Sequence, residues 1–285
     1  MKIVRDVLEM QNICTDLRHA QKRIGCVPTM GALHEGHLSL LHIARQRCDI
    51  SVMTLFVNPT QFGPKEDLLK YPRPFDKDCE VAEKHGCDIL FAPDTNDMYP
   101  DNYMSYVVVE NITHKLEGKS RLGHFRGVTT IVLKLFNITI PHIAVFGQKD
   151  AQQAIVLKRM VTDLNLPVEL IIAPTLREKD GLALSSRNTY LTKKERLKVP
   201  LLYQGLHKAE QEHNRGELFA KNLIKHIKET YKKTELFKAE YIAIVDVENL
   251  EPVETISGKT LIAVACRTKE TNTRLIDNII LGGTL

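Results

Sequence analysis

Short apolar segments rich in β-forming residues alternate with segments of helical periodicity along residues 24–173. The strand-like segments are residues 24–27, 50–57, 88–92, 142–146 and 168–173. The helical segments between them are residues 38–47, 75–85, 129–136 and 151–164. Short strands separated by helices indicate βαβ units, and their uninterrupted apolar character indicates a parallel sheet covered on both faces. The sequence therefore predicts an α/β fold with a Rossmann-like parallel sheet.

The pattern changes after Ser186, where lysine-rich helical stretches replace the short strands. The later segments are two helical stretches at 193–212 and 217–233, strand-like runs at 239–247 and 260–266, and a short segment at 273–281. We expect a smaller C-terminal α/β or α+β domain. The predicted domains are residues 1–185 and 186–285.

Composition excludes several classes of protein. The chain has 285 residues, 43% apolar and 26% charged, which is typical of globular domains. No apolar run approaches the roughly 20 residues that span a bilayer. Charges throughout the first 20 residues argue against a secretory signal. The six cysteines form no CxxC pair, which predicts reduced thiols in a cytoplasmic protein rather than a zinc site or disulfides.

The net charge of +4 comes from the C-terminal part of the chain, mostly from residues 193–233. Such an excess indicates a solvated helical face or a site for a polyanion. Nucleic-acid binding would require basic residues interleaved with aromatic side chains. Aromatic residues are only 6% of the chain and tryptophan is absent, so we expect neither a nucleic-acid nor a membrane partner.

The segment 28–38, PTMGALHEGHL, follows the first predicted strand and leads into a helix. A helix that starts near His37 would direct free N–H groups and its positive dipole end to the carboxyl edge of the sheet. His34 and His37 add two imidazoles there, which suits charge stabilisation on a phosphate. Two alternatives are ordinary turn histidines and a metal site, although no third metal ligand stands out.

Three further segments carry polar groups suited to anions: residues 58–62, 146–153 and 179–188. The amide side chains of residues 58–62 suit a hydroxy acid, although Asn-Pro also starts ordinary turns. In the second, Lys149 sits at a helix start, where the dipole opposes a cation unless a phosphate neutralises both; the alternative is a solvated lysine. The serines and Arg187 of the third can hold triphosphate oxygens, or form an interdomain turn.

Seven blocks together resemble the pantoate–β-alanine ligase family, within the HxGH nucleotidyltransferase superfamily. In order they are PTMGALHEGHLSL, FVNPTQF, KYPRPFDKD, GHFRGVTTIV, VFGQKDAQQ, KDGLALSSRN and RLIDN. The resemblance covers about residues 24–190 and 274–278. It implies ATP-dependent joining of pantoate to β-alanine through a pantoyl adenylate, with Mg²⁺ accompanying ATP and a cytoplasmic homodimer as the assembly. It also implies that residues 1–185 bind ATP and pantoate and that residues 186–285 close over the active site.

The resemblance also implies roles for individual residues. The implied catalytic residues are His34, His37, Lys149, Ser185, Ser186 and Arg187. The implied ATP-binding residues are Met30, Gly31, Ala32, Leu33, His34, Glu35, Gly36, His37, Gly147, Gln148, Lys149, Asp150, Leu176, Leu184, Ser185, Ser186 and Arg187. The implied substrate ligands are Gln61 for pantoate and β-alanine, Gln153 for pantoate, and Asn58 as a further candidate.

Other readings stay open at this point. A different enzyme of the superfamily would make a stable nucleotide adduct, and a nucleotide- or RNA-binding module would use the lysine-rich second domain. The sequence identifies no protein ligand of Mg²⁺. It assigns no role to Arg73, Asp76, Asp78, Arg121 or Arg126, although the first three either organise the site or, as we favour, pair with one another.

Overall fold

The structure, a computed structural model, describes residues 1–64 and 66–285. The chain divides into two compact units. The first comprises Met1–Gly147 and Val156–Ala173, and the second comprises Gln148–Ile155 and Pro174–Leu285. Residues 174–185 thus group with the second unit, and the domain boundary expected at residue 185 stays a prediction.

The first unit is built on a sheet of six parallel strands. The strands are β1 (Lys2–Val4), β2 (Ile24–Thr29), β3 (Ile50–Leu55), β4 (Ile89–Phe91), β5 (Ile143–Gly147) and β6 (Glu169–Ala173). Their order is β1-β4-β3-β2-β5-β6. Val27, Met53 and Leu90 of the central strands are fully buried, which explains why these strands read as continuous apolar runs rather than as alternating ones.

Helices connect these strands. They are α1 (Val7–His19), α2 (Glu35–Arg47), α3 (Phe75–Lys84), α4 (Thr95–Met98), α5 (Glu117–Ser120), α6 (His124–Thr139) and α7 (Ala151–Asp163), with short 3₁₀ turns at Pro59–Gln61 and Ile112–His114. Leu41 and Ala44 of α2 pack in one buried cluster with Val27 of β2 and Ile143 of β5. This packing holds α2 over the middle of the sheet.

The strand order places a ligand crevice beside β2. Along the chain β3 and β4 are added on one side of β2, whereas β5 and β6 are added on the other. In open parallel sheets, ligands bind outside the carboxyl ends of the strands where the order reverses. The turn that leaves β2 towards α2 therefore enters the crevice.

The second unit combines helices with an antiparallel sheet. Its elements are 3₁₀ helices at Gln148–Asp150 and Ser186–Tyr190, helices α8 (Lys193–Lys198), α9 (Leu201–Asn214) and α10 (Ala220–Tyr231), and strands β7 (Phe237–Asp246), β8 (Thr260–Thr268) and β9 (Arg274–Leu281). The sheet order is β7-β8-β9. Leu206, Leu223 and Ile262 are fully buried together in its core, so this unit has an α+β architecture.

The structure confirms the α/β fold with a parallel sheet and corrects several predicted elements. The helix predicted at 193–212 is two helices, because Pro200 lacks an N–H and its ring clashes with a preceding helical turn. The helix predicted at 129–136 extends over His124–Thr139. β1 and α1 were not predicted. Within the described part of the chain, no helix combines the length and apolarity needed to cross a bilayer.

Glu195 ties α8 to the turn between β8 and β9. Its carboxylate accepts hydrogen bonds from the backbone N–H groups of Thr192, Glu270 and Thr271 and from the hydroxyl of Thr271. Burial raises the pKa of Glu195, but these hydrogen bonds outweigh burial and lower the pKa from 4.5 to about 2. The folded state therefore favours the ionised carboxylate.

This pKa shift predicts an acid-labile contribution to stability. Because the folded pKa lies below the unfolded one, the contribution is complete above pH 4.5 and is lost as the pH falls towards 2. At neutral pH it is worth about 3 kcal/mol. We expect Glu195→Gln to lower the free energy of unfolding in urea by about this amount at pH 7 and to match wild type near pH 2. Glu248→Gln, which removes an exposed carboxylate, is the control and should follow wild type throughout.

Candidate active site

His34 and His37 form the cap of α2. Nδ1 of His34 accepts a hydrogen bond from the N–H of Gly36 at 3.1 Å. Nδ1 of His37 accepts from the N–H of His34 at 3.4 Å. The two rings are stacked, with centroids 4.0 Å apart and an interplanar angle of 28°. The helix thus begins with a capping box made of two imidazoles.

The cap determines which nitrogen of each ring is a donor. A neutral imidazole has one acceptor and one N–H, and Nδ1 accepts in both rings. Nε2 therefore carries the proton in both His34 and His37. Two Nε2–H donors thus belong to the helix end at which the dipole favours an anion.

The helix starts two residues earlier than predicted. The sequence predicts a start near His37 with free N–H groups, but α2 begins at Glu35. The N–H groups of Gly36 and His37 already have partners, Nδ1 of His34 and the carbonyl of His34. The prediction was wrong because N-caps are usually Ser, Thr, Asp or Asn, and a histidine cap gives little sequence signal.

Asp78 of α3 holds the turn between β2 and α2. Its two carboxylate oxygens accept from the N–H groups of Ala32 and Leu33, each at 2.8 Å, and the residue is only 3% exposed. Ala32 has a φ of +50°, a conformation disfavoured for residues with a Cβ. Burial raises the pKa of Asp78, whereas the two backbone donors lower it. The carboxylate stabilises the strained turn that leads into His34.

Residues 58–62 lie against the turn that follows β2, as the position of this segment after β3 predicted. Nε2 of Gln61 donates to Sδ of Met30 at 3.2 Å. Asn58 donates to Oε1 of Gln61 at 2.9 Å and to the carbonyl of Gly127 at 3.1 Å, and its own Oδ1 accepts from two hydroxyl groups. Asn58 is 1% exposed. Its contacts orient Gln61, and a direct contact of Asn58 with a substrate stays a prediction.

A chain of charged and polar groups supports the backbone of Gln61. Nε and one terminal nitrogen of Arg121 donate to the Glu66 carboxylate at 2.8 and 2.7 Å. Its other terminal nitrogen lies 3.0 Å from Nε2 of His124, whose Nδ1 lies 2.9 Å from the carbonyl of Gln61. Burial, and then the charge of Arg121, lower the pKa of His124 from 6.5 to about 4. His124 is therefore neutral near pH 7, accepting from Arg121 and donating to Gln61.

In the second unit, Lys149 lies in the turn that precedes α7. Its ammonium is 3.7 Å from the carboxylate of Asp150, and 24% of its side chain is exposed. A cation just before a helix is opposed by the positive end of the helix dipole. Gln153 lies in the first turn of α7 and is partly buried. The structure therefore keeps an accessible positive charge in an unfavourable place.

The segment 176–187 begins with a hairpin. The N–H of Leu184 donates to the carbonyl of Leu176 at 3.0 Å. Oγ of Ser185 then accepts from the N–H of Arg187 at 3.2 Å and caps the 3₁₀ helix that starts at Ser186. The two serines and Arg187 thus follow directly on a hydrogen-bonded hairpin.

Residues 2–280 match the model of a protein family described as pantoate-beta-alanine ligase. The chain belongs to this family. Pantothenate synthetases of Acetivibrio thermocellus and Thermotoga petrophila are both 50% identical to it, over 99% of this chain and 99% and 100% of theirs.

Comparison with solved structures supports the same family. The pantothenate synthetase of Thermus thermophilus has a TM-score of 0.92 at 41% identity, covering 99% of this chain and 100% of that one. The pantoate-β-alanine ligase of Francisella tularensis, solved in complex with beta-gamma ATP and β-alanine, has a TM-score of 0.78 at 34% identity, covering 98% and 97%. The family and the fold class predicted from the motifs are confirmed. The chain is a ligase that forms pantothenate from pantoate and β-alanine through an amide bond.

Some residues of this pantoate–β-alanine ligase gain a role that the sequence left open. Asp78 organises the turn before α2, which is the alternative that we did not favour. Arg121 positions Gln61 through His124, and the guanidinium of Arg126 stacks 3.4 Å from the ring centre of Tyr106. The role of Asp78 could not be recognised from the sequence, because the sequence does not show that this aspartate is buried. Among residues 1–64 and 66–285, no three His, Cys, Asp or Glu side chains are grouped to hold a metal.

Proposed function

We propose that the ligase activates pantoate with ATP, through a pantoyl adenylate, before β-alanine is added. The observation that supports this most is the pair of Nε2–H donors on His34 and His37, at the crevice where the strand order reverses. A helix end with two added donors suits phosphate oxygens. The related Francisella tularensis ligase, solved with beta-gamma ATP and β-alanine, supports the same nucleotide and amine for this chain.

In the first step, a pantoate carboxylate oxygen attacks the α-phosphorus of ATP and pyrophosphate leaves. Both reactants are anions, so the protein mainly positions them and offsets the growing charge. His34 and His37 donate to phosphate oxygens, and Lys149 neutralises the transferred group. Gln61 and Gln153 bind pantoate. The remaining groups, Ser185, Ser186 and Arg187, hold the pyrophosphate.

In the second step, the β-alanine amine attacks the carbonyl carbon of the mixed anhydride and AMP leaves. The adenylate is a reactive anhydride, so the step needs no nucleophile from the protein. Gln61, with its amide oriented by Asn58 and Met30, is placed to bind pantoate and to lie near the incoming amine. Mg²⁺ enters this proposal only as the counterion that ATP brings. A cytoplasmic homodimer is a further part of the proposal.

Release of AMP tests this mechanism. We expect AMP only when ATP, pantoate and β-alanine are all present, and pantoate-dependent ATP–pyrophosphate exchange without β-alanine. Exchange that does not require pantoate would contradict the adenylate. A stable nucleotide adduct with no amine-dependent AMP would instead identify a nucleotidylyltransferase.

The two hydrogen bonds by which Asp78 holds the turn before α2 give a separate prediction. Asparagine has the same shape but only one acceptor oxygen, so Asp78→Asn leaves one N–H of the turn facing an amide NH₂ group. We expect a loss of about 1–3 kcal/mol in the free energy of unfolding and a higher KM for ATP, because the turn before His34 loosens. Asp76→Asn, on the same helix, is the matched control. Equal stability and equal KM for ATP in the two variants would show that Asp78 does not hold the turn before α2.

A further inference from the structure

Asn278 of β9 holds the turn that contains Lys149. Its Nδ2 donates to the carbonyl of Lys149 at 2.8 Å and to the carbonyl of Gln148 at 3.0 Å. The side chain of Gln148 returns a donor to Oδ1 of Asn278 at 3.4 Å. Asn278 is buried, so these contacts are shielded from water. The backbone on either side of Lys149 is therefore fixed to a strand.

The preceding residue, Asp277, holds the hairpin of residues 176–184. Its two carboxylate oxygens accept from the two terminal nitrogens of Arg177 at 2.6 and 2.9 Å. Arg177 also donates to the carbonyl of Gly181 at 3.1 Å and stacks 3.8 Å from the ring centre of Tyr203. A buried bidentate pair of this kind has one well-defined geometry. The hairpin that leads into Ser185 is thus tied to the same strand.

One strand can serve both segments because successive side chains of a strand point to opposite faces of the sheet. β9 is itself paired with β8 along its whole length, from Arg274 to Leu281. The two attachment points are consecutive residues on this strand. A shift of either segment relative to the other would have to deform the sheet.

The carboxylate of Asp277 also interacts electrostatically with a cation of each segment, Arg177 and Lys149. Burial raises the pKa of Asp277, while the charges of Arg177 and Lys149 lower it. The buried carboxylate thus attracts the cation of each segment. It offsets part of the repulsion between positive groups while no anion is bound.

We propose that Asp277 and Asn278 are positioning residues that mount both ATP-binding segments of the second unit on one strand. The inference rests on the proposed roles of Lys149 and of Ser185–Arg187. Transfer to the α-phosphorus requires the group that neutralises it and the groups that hold pyrophosphate to keep a fixed spacing. A misplacement of about 1 Å costs on the order of a hundredfold in rate.

Asn278→Ala tests the first attachment. We expect kcat/KM for ATP to fall about ten- to a hundredfold, mainly through KM, while KM for pantoate rises less, because only one of its two proposed ligands, Gln153, lies in the second unit with Asn278, whereas Gln61 lies in the first. Ile279→Val, which trims a buried side chain of the same strand, controls for destabilisation. Equal effects of Asn278→Ala and Ile279→Val, or equal changes in both KM values, would overturn the proposal.

Arg177→Lys tests the second attachment and does not depend on the folding of the first variant. It keeps the charge beside Asp277 but loses the planar fork. The same selective rise in KM for ATP is expected, and an unchanged KM in a folded protein would count against the role of Asp277.

A double mutant separates this inference from the proposed function. If Asn278 acts through Lys149, adding Asn278→Ala to Lys149→Ala should cost less than about twofold more, since coupled residues are not additive. Full additivity would contradict the positioning role. Wild-type exchange in Lys149→Ala would refute the proposed role of Lys149, on which this inference rests, whereas exchange that does not require pantoate would refute the proposed function itself. Loss in Lys149→Ala together with an Asn278→Ala that behaves like Ile279→Val would refute only the inference.

Discussion

His37→Asn should slow pantoate-dependent ATP–pyrophosphate exchange about 10²–10³-fold while leaving the protein folded. The Oδ1 atom of asparagine can replace Nδ1 and accept the N–H of His34, which keeps the cap of α2. Asparagine has no group that reaches the position of Nε2, so one proposed donor to the phosphate is lost. The melting temperature should stay close to that of wild type, and the loss should appear in the exchange rate at saturating ATP.

His37→Gln is the matched variant. Its amide nitrogen reaches towards the position of the imidazole Nε2, but it places no acceptor where Nδ1 receives the N–H of His34. We expect it to keep more exchange activity than His37→Asn and to lose about 1 kcal/mol of stability through the cap. The two variants separate capping from phosphate binding. Fast exchange in His37→Asn would show that Nε2 of His37 is not a donor to the phosphate.

The parallel sheet was predictable because its central strands are buried on both faces and stand out in the sequence as apolar runs. β1 (Lys2–Val4) escaped prediction because two of its three residues are exposed, whereas β4, of the same length, is buried throughout and was predicted. α1 shows the opposite difficulty: its buried side chains, Met10 and Cys14, are few, and its exposed residues dominate the sequence pattern. Local propensity does not predict an element whose formation depends on pairing with a distant strand, as in β1, or on the burial of only a few side chains, as in α1.

The motifs that touch ligands in the proposal were identified by their residue types, whereas the residues that hold them were not. The partners of these motifs come from remote parts of the chain. Asp78 is 45 residues from Leu33, and Asn278 is 129 residues from Lys149. Such contacts follow from tertiary packing, and their side chains look like ordinary surface polar residues in the sequence. The cap formed by His34 and His37 was missed for a local reason, since histidine seldom caps a helix.

Gly127 shows how closely the packing around Gln61 is determined. A Cβ at this position of α6 would lie against the carbonyl oxygen of Thr60, 2.5 Å from its carbonyl carbon and 2.6 Å from the backbone nitrogen of Gln61. These are backbone atoms, which cannot rotate out of the way as a side chain can. The same helix position supplies the carbonyl that Asn58 binds. An added methyl group must therefore separate α6 from the turn that carries Gln61.

Gly127→Ala should consequently reverse the usual effect of this substitution. Glycine to alanine in a helix interior normally stabilises by about 1 kcal/mol, but here we expect a loss of about 3 kcal/mol from overpacking. KM for pantoate should rise more than KM for ATP, because Gln61 is displaced. Urea unfolding and steady-state kinetics measure the two effects. Gly258→Ala is the control, since no heavy atom beyond the glycine and its two chain neighbours lies within 4 Å of its added Cβ. A stabilised Gly127→Ala with an unchanged KM for pantoate would mean that α6 and the turn at Gln61 can separate freely, and that the close approach does not position the amide.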